Sequence, residues 1–208
     1  MSAMTARQSA AICARALAFS PGAAQATEPY TTFSVDVVAD CNRFISEGRS
    51  HPVPADDLPV FGDYFMQEGL IYEGGTLAAN CGGGDGCGLL PDGSPAFPEA
   101  VIGKWTCYGS FVGDGTATSE GVWLYSTQVY EFDVEQIDED IFAPGEHALV
   151  SHGPERNDLN VPWYRAITGG YGKFKRSTGQ LLQTKIGFNQ TECENFAIDF
   201  RIRPTRRP

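Results

Sequence analysis

The sequence of 208 residues lacks two features that would place it in a membrane or on a nucleic acid. It has no uncharged apolar run of about 18 residues, the length that a membrane-spanning helix needs. It is also poor in positive charge, with 15 lysines and arginines against 26 acids and a net charge of −11. Proteins that bind nucleic acids use clustered Lys and Arg for phosphate contacts. We therefore expect no membrane span and no nucleic-acid partner.

Motifs of common metal and hydrolase sites are lacking as well. There is no G-x-S-x-G segment of the kind that forms a nucleophile elbow. A structural zinc site needs two close pairs of ligands, whereas only Cys81 and Cys87 lie near each other, with five residues between them. His147 and His152 are five positions apart, which places them on opposite faces of a strand. The sequence thus predicts no metal site.

The first 26 residues differ from the rest of the chain. They contain no Asp or Glu, have an apolar stretch at Ala10–Phe19 and end in A-Q-A. An A-x-A ending is typical of signal-peptidase cleavage. Arg15 interrupts the apolar stretch, so a disordered N-terminus is the alternative. We expect residues 1–26 to be a signal peptide and the mature chain, beginning near Thr27, to be secreted or periplasmic.

Alternation of apolar and polar residues with a period of two is the main signal in the remaining chain. Near the C-terminus, Phe196, Ile198, Phe200 and Ile202 alternate with polar or small residues. A strand places these four side chains on one face, whereas a helix would scatter them. The pattern predicts eight strands, at Thr31–Val38, Gly69–Gly74, Glu99–Phe111, Gly121–Val134, His147–His152, Pro162–Thr168, Gly179–Phe188 and Cys193–Arg203.

The predicted strands have no helices to cover their faces, because no amphipathic helix of about 12 residues follows the N-terminal segment. Eight antiparallel strands without such cover favour closure into a barrel, which also removes exposed sheet edges. A sandwich of two sheets is the alternative. We predict one all-β domain over residues 27–203, an eight-stranded antiparallel closed barrel. Residues 39–61 are expected to form a loop, and residues 204–208 a frayed tail.

Three segments resemble the allene oxide cyclase and dirigent barrel families, in the same order along residues 60–200. The most specific is A-I-T-G-G-Y-G-K-F, which is followed by G-Q and is similar to the glycine segment of those families. The three segments are Gly62-Asp63 with Leu70-Ile71-Tyr72 and Gly74, Tyr108–Gly115, and Ala166–Phe174 with Gly179-Gln180. The resemblance implies a closed eight-stranded barrel with a central cavity, a homotrimer and no cofactor.

The catalytic residues of the plant cyclases are matched less closely than their fold. Gly69 stands where the cyclases have an Asn, and Asn160 falls near the position of their Tyr. Asp36 is the counterpart of their strand-one Glu. Jasmonate-type cyclisation is therefore not expected, and the lining of dirigent proteins that steer phenoxy radicals has no residue-by-residue counterpart here.

Several residues are candidates for the lining of a cavity. Four residues of the central strands have odd sequence numbers, so those of one strand are expected on the same face: Trp105, Cys107, Tyr125 and Glu131. An apolar pocket with a few polar groups would suit a barrel, although a filled core is equally common in barrels of this size. A carboxyl group buried among aromatic rings would have a raised pKa and could act as a general acid. The full set of pocket candidates is Asp36, Trp105, Cys107, Tyr125, Glu131, Trp163 and Arg165.

Five cysteines follow the expected signal peptide, which predicts at most two disulfides and one free thiol. In a closed antiparallel barrel whose strands pair in sequence order, the end of the first strand lies beside the start of the eighth. This places Cys41 next to Cys193, within bridging distance. Dirigent barrels likewise join these two strands by a disulfide. Cys81 and Cys87 are predicted to form a local bridge, and mid-strand Cys107 to remain a buried free thiol.

These observations lead to one functional hypothesis and one alternative. We expect a secreted, cofactor-free barrel that binds a small hydrophobic molecule and steers its cyclisation or isomerisation through shape and desolvation. The alternative is a non-catalytic barrel of the same fold that serves as a binding or structural module.

Overall fold

The computed structural model describes residues 30–47, 59–113, 120–134, 136–138, 141–142 and 144–203. The expected signal peptide and C-terminal tail lie outside these ranges. The strands are β1 (Thr31–Glu47), β2 (Tyr64–Glu73), β3 (Val101–Phe111), β4 (Val122–Phe132), β5 (Gln136–Asp138), β6 (Ile141–Phe142), β7 (His147–Arg156), β8 (Trp163–Tyr171), β9 (Thr178–Phe188) and β10 (Glu194–Arg203). One short helix, α1 (Thr76–Cys81), and single 3₁₀ turns at Pro98–Ala100 and Gly172–Phe174 complete the described elements.

Eight of the strands close into one antiparallel barrel in the order β1-β10-β9-β8-β7-β4-β3-β2. Each strand pairs with its neighbours along the chain, apart from the small β5–β6 hairpin inserted between β4 and β7. The first and last strands close the barrel, with Val35 opposite Ile198 and Val38 opposite Asn195. The predicted all-β, eight-stranded closed barrel is therefore confirmed.

The first strand is longer than predicted. β1 does not end at Val38 but continues to Glu47. The expectation of a loop over residues 39–61 was therefore wrong for residues 39–47. The reason is a bulge: the pairing with β2 shifts between Ala39 and Phe44, and the strand then resumes. Such a bulge interrupts the alternation on which the prediction relied.

Both predicted disulfides are present. Cys41, which lies in the bulge of β1, is joined to Cys193 just before β10, with their Cα atoms 5.2 Å apart. Cys81 is joined to Cys87 across the C-terminus of α1, with a Cα–Cα distance of 6.1 Å. Cys107 is free and buried, as predicted.

The connection between β2 and β3 folds onto the outside of the barrel and forms a second, smaller core. Leu77 of α1 and Leu89 of the following loop pack with Val38, Leu70 and Tyr72 on the outer face of β1 and β2. The outward-facing side chains of Val38, Leu70 and Tyr72 are therefore buried, although they lie outside the barrel.

The glycine segment at the end of β8 has a structural role. A side chain at Gly170 would place its Cβ atom 2.3 Å from the carbonyl oxygen of Ala148, too close for any residue but glycine. Gly172 has a φ of +61°, a conformation that glycine adopts without strain. The segment thus lets β8 pass close to β7 and turn into β9.

None of the helices in the described ranges is long and apolar enough to span a membrane.

Candidate functional site

The lumen of the barrel is apolar at one end. Phe33 at the start of β1 stacks on Phe200 of β10, with ring centroids 4.7 Å apart, and on Phe174 of the β8–β9 turn at 5.9 Å. Phe132 at the end of β4 contacts the same ring of Phe174 at 5.6 Å. These rings come from four parts of the chain and fill this end of the lumen, so we place the functional site elsewhere.

A buried ion pair lies in the middle of the lumen. Arg165 on β8 and Glu155 on β7 approach to 3.4 Å, and their side chains are 0% and 6% exposed. Arg165 also donates to the hydroxyl of Ser151 at 3.2 Å and to both the carbonyl and the hydroxyl of Ser126 at 2.9 Å. The carbonyl of Gly153 accepts a further bond from its Nη1 atom. A guanidinium carries five donors, and these partners largely satisfy them.

The carboxylate of Glu155 has its own set of donors. It accepts hydrogen bonds from the hydroxyl of Ser126, the thiol of Cys107 at 3.3 Å and the side-chain amide of Gln183 at 3.4 Å. Desolvation and the nearby Glu155 charge raise the pKa of the Cys107 thiol well above its ordinary value. Cys107 is therefore a neutral donor and not a thiolate nucleophile.

Four buried polar atoms in the lumen have no hydrogen-bond partner among the described residues. They are the indole nitrogens of Trp105 and Trp163, the side-chain nitrogen of Gln128 and the side-chain oxygen of Gln183. Buried polar groups are nearly always paired, and leaving one unpaired costs about 1–3 kcal/mol. Two unsatisfied N–H donors on aromatic walls are suited to an oxygen acceptor supplied from outside the chain.

A cavity of about 20 Å³ lies next to one of these groups, Trp105, between the ion pair and the end of the barrel where β7 ends and β10 begins. That volume holds about one water molecule. Its lining combines aromatic and apolar side chains with charged ones. The lining residues are Phe65, Gln67, Trp105, Cys107, Trp123, Leu124, Glu155, Arg156, Lys185, Glu194 and Phe196. The lumen is thus nearly filled, which is closer to the filled-core alternative than to an open pocket.

Two ionisable groups at this cavity have shifted pKa values. Burial raises the pKa of the Glu194 carboxyl above its ordinary range, and the nearby Lys185 partly offsets that effect. Burial lowers the pKa of Lys185, and the charges of Glu194 and Asp158 partly offset this shift. Both groups are therefore biased toward their neutral forms, in which one donates a proton and the other accepts one.

The structure brings together four of the seven pocket candidates. Trp105 and Cys107 on β3 and Trp163 and Arg165 on β8 all face the lumen, where they belong to one buried core or to the ion pair. Their placement is compatible with a site in the lumen.

The other three candidates lie outside the lumen, which corrects their expected position. Tyr125 is exposed on the outer wall, and Glu131 accepts a hydrogen bond from Tyr171 at 2.7 Å on the same outer face. Asp36 is buried beneath α1, where its carboxylate accepts the backbone N–H of Leu77 at 2.8 Å. Cys107 of β3 pairs with Gln128 of β4, so from Leu124 to Phe132 the even-numbered residues of β4 point inward and the odd-numbered ones outward.

Sequence reasoning missed Glu155, Lys185 and Glu194. Glu155 lies beyond the predicted end of its strand at His152, because β7 continues to Arg156. Lys185 lies within a predicted strand, four residues after the buried Leu181, so the two side chains lie on the same face. This spacing was the available signal that Lys185 points inward. No group of three or more His, Cys, Asp or Glu side chains arranged to hold a metal occurs in the described part of the chain.

No family model matches the sequence, and a search of curated proteins found no match. Two solved structures of pterocarpan synthase dirigent proteins are similar in fold, each with 12% identity and a TM-score of 0.53. The matches cover 87% and 86% of this chain and 88% and 98% of the dirigent chains. Pyocyanin demethylase also matches, at 15% identity, with a TM-score of 0.45 and coverage of 81% of this chain and 98% of that one. The dirigent likeness supports a dirigent-like barrel fold, and does not single out the allene oxide cyclases.

Proposed function

We propose that this chain is a dirigent-like barrel that binds a small hydrophobic molecule carrying an oxygen atom, and that it steers the cyclisation or isomerisation of that molecule without a cofactor. The observation that carries the proposal is the pair of buried, unpartnered indole N–H groups of Trp105 and Trp163. One of these rings lines the cavity that also reaches Glu155. The aromatic walls suit an apolar body, and the N–H groups suit a hydroxyl, ether or carbonyl oxygen.

Steering would follow from position and desolvation. A molecule held between aromatic walls keeps few of its conformers, and a conformer with its reacting atoms in contact then reacts as if at high local concentration. Burial raises the pKa of the Glu194 carboxyl at the cavity wall, which suits this group to proton donation better than an exposed glutamate. The Arg165–Glu155 pair holds two opposite charges at fixed positions in the lumen. Any charge that develops on the ligand during the reaction is therefore exposed to an electric field that is already in place.

Binding requires the lumen to open further than it does without a ligand. The cavity of about 20 Å³ is too small for an aromatic ring, so the half-buried Trp123 and neighbouring rings at the mouth must move. If the open form is a minor state, the measured affinity is reduced in proportion to its population. We therefore expect weak binding of simple probes and stronger binding of a natural ligand that fits the opened form.

The experiment is calorimetric titration with 4-hydroxybenzyl alcohol, a ring with two oxygen atoms. Trp105→Phe and Trp163→Phe keep an aromatic ring but remove the N–H, so each should weaken binding by about 0.5–1.5 kcal/mol, or roughly 2- to 12-fold in Kd. Trp123→Phe is the matched control, because Trp123 lines the mouth and its indole nitrogen is not among the unpartnered buried atoms. Equal effects of all three substitutions would contradict a role of the two N–H groups.

Export and assembly are part of the same proposal. The two disulfides and the dirigent-like fold are compatible with an extracellular protein, since disulfides persist in oxidising compartments. We propose that the chain is secreted or periplasmic after loss of residues 1–26, and that it forms a homotrimer. N-terminal sequencing of protein from the native host and sedimentation equilibrium would test the two statements separately.

The alternative, a structural barrel without a ligand, is favoured by the small volume of the cavity. It predicts that no probe binds at millimolar concentration and that Trp105→Phe changes only stability. The titration above therefore distinguishes the two functions.

A further inference from the structure

We infer that Lys185 is a nucleophile that forms an imine with aldehydes or ketones entering the lumen, so that the ligands of this barrel include carbonyl compounds with an apolar body. The inference rests on the proposed binding site and deepens it, because it names a chemical class of ligand. It is carried by the place of Lys185 in the structure and by how that place differs from those of the other lysines.

Lys185 is one of only four lysines in the sequence. Its side chain is buried, with 3% of its surface exposed, and it lines the same cavity as Trp105, Glu194 and Phe196. No carboxylate among the described residues lies within salt-bridge distance of its Nζ atom. That atom instead donates to the amide oxygen of Asn157 at 2.6 Å, at the end of the barrel.

The other lysines have different surroundings. Lys104 forms an ion pair with Glu68 at 2.6 Å, and Lys173 an ion pair with Asp133 at 3.3 Å. Lys175 is exposed. Carboxylate partners and solvent both favour the charged ammonium, which is not nucleophilic. Burial without an ion-pair partner favours the neutral amine, and lysines in such sites are the ones that form Schiff bases.

Charges on the neighbouring strands do not cancel this preference. Glu155 and Arg156 of β7 and Glu194 of β10 line the cavity, and Asp158 follows β7. The attraction of Glu194 and Asp158 raises the pKa of Lys185, but desolvation is the larger effect and the net pKa is lowered. The amine is therefore more often neutral than that of an exposed lysine at the same pH.

The chemistry needs no oxidant, reductant or metal. The Nζ lone pair attacks the carbonyl carbon, and the carbonyl electron pair moves to oxygen, which takes a proton from the Glu194 carboxyl. The nitrogen returns a proton to that carboxylate, giving a neutral carbinolamine. Glu194 then protonates the hydroxyl, which leaves as water while the nitrogen lone pair forms the C=N bond. Loss of the remaining N–H proton to Glu194 restores the carboxyl group, so that amine plus aldehyde gives imine plus water.

The test is reductive trapping of the full chain with 4-hydroxybenzaldehyde and cyanoborohydride at neutral pH, followed by intact-mass measurement and peptide mapping. We expect one rapid addition of a hydroxybenzyl group, located at Lys185. Lys185→Met should lose this addition, whereas Lys173→Met, the matched control on the surface, should keep it. Labelling that is faster at Lys173, Lys175 or the N-terminus than at Lys185 would overturn the inference.

A parallel measurement separates this inference from the proposed function. The alcohol 4-hydroxybenzyl alcohol has the same ring but forms no imine, and its binding is measured without cyanoborohydride. If the alcohol binds and the aldehyde is not trapped at Lys185, the imine is refuted while the binding site stands. If neither binds nor labels, both proposals fail. A folded Lys185→Met variant that is no longer labelled, while Lys173→Met is still labelled, would support the imine whatever the affinity of the Lys185 variant for the alcohol.

Discussion

Removing one partner of the buried ion pair in the lumen is predicted to cause a large loss of folding stability. Replacing Arg165 with Met leaves Glu155 buried without its counter-charge, and removal of one partner from a buried pair destabilises a protein by about 3–5 kcal/mol. Glu155 keeps the donors Ser126, Cys107 and Gln183, which hold the expected loss toward the lower end of that range. For a chain of this length, the corresponding fall in Tm is roughly 2–4 °C for each kcal/mol.

The double variant Arg165→Met/Glu155→Met gives the decisive comparison. Replacing a buried pair by apolar side chains of similar volume is often neutral or stabilising, because the desolvation cost of both charges is removed. We expect the double variant to regain most of the stability that Arg165→Met loses. Urea unfolding followed by circular dichroism measures both values, provided that the slope of the transition does not change.

Arg156→Met is the control for this experiment. Arg156 neighbours Glu155 in sequence but pairs with Asp158 near the surface, at 2.9 Å, with a side chain that is 37% exposed. Surface pairs contribute about 0–1 kcal/mol, so the expected loss is small. A loss below about 1 kcal/mol for Arg165→Met, or a double variant less stable than the single one, would refute the account of a buried, mutually compensating pair.

Three further predictions concern other parts of the chain. Replacing both Cys41 and Cys193 with Ala removes a cross-link over 152 residues and should lower the unfolding free energy by about 5 kcal/mol, measured by urea unfolding; an unchanged midpoint would contradict it. Cys107 should react with a bulky maleimide only after denaturation, as followed by mass spectrometry; rapid labelling of the folded protein would show that the thiol is accessible. Burial raises the pKa of Asp36 above 3.8, so the folded state binds this proton more tightly than the unfolded one, and stability is lost as the pH rises through the raised pKa. Asp36→Asn should abolish this loss, and a pH–stability profile of the variant that matches the wild type would contradict it.

The closed barrel was predictable because the evidence for it is local. In β10 the residues from Phe196 to Ile202 alternate strictly, since one face lies in the lumen and the other is exposed. Strands that pair in sequence order leave one way to close, and this closure brings Cys41 to Cys193. The bulge that extends β1 was not predictable, because its extra residues break the alternation.

The inward face of β4 was not predictable from its own residues. Leu124 and Tyr130 face the lumen, while Tyr125 and Val129 face the other way, so both faces carry large apolar side chains. Only the register with β3, which sets Cys107 opposite Gln128, decides between the two faces. This is why Tyr125 and Glu131 were expected in the lumen and lie outside it.

The polar part of the site was hidden for a different reason. On β7, Ser151, Gly153 and Glu155 face the lumen, so this strand carries small and polar residues where alternation predicts apolar ones. Glu155 meets Arg165 only through the pairing of β7 with β8. A hydrophobic pattern cannot report a buried ion pair, because both partners look like surface residues until their strands are placed side by side.

The central claim is that an oxygen of a small ligand is held in the lumen by the indole N–H groups of Trp105 and Trp163. The chain has only three tryptophans, so a nitrogen-15 correlation spectrum contains three indole signals that single Trp→Phe variants assign. During titration with 4-hydroxybenzyl alcohol, the signals of Trp105 and Trp163 should move downfield as they gain an acceptor, with a smaller change at Trp123. Signals that stay fixed at millimolar ligand, or a change confined to Trp123, would contradict the claim.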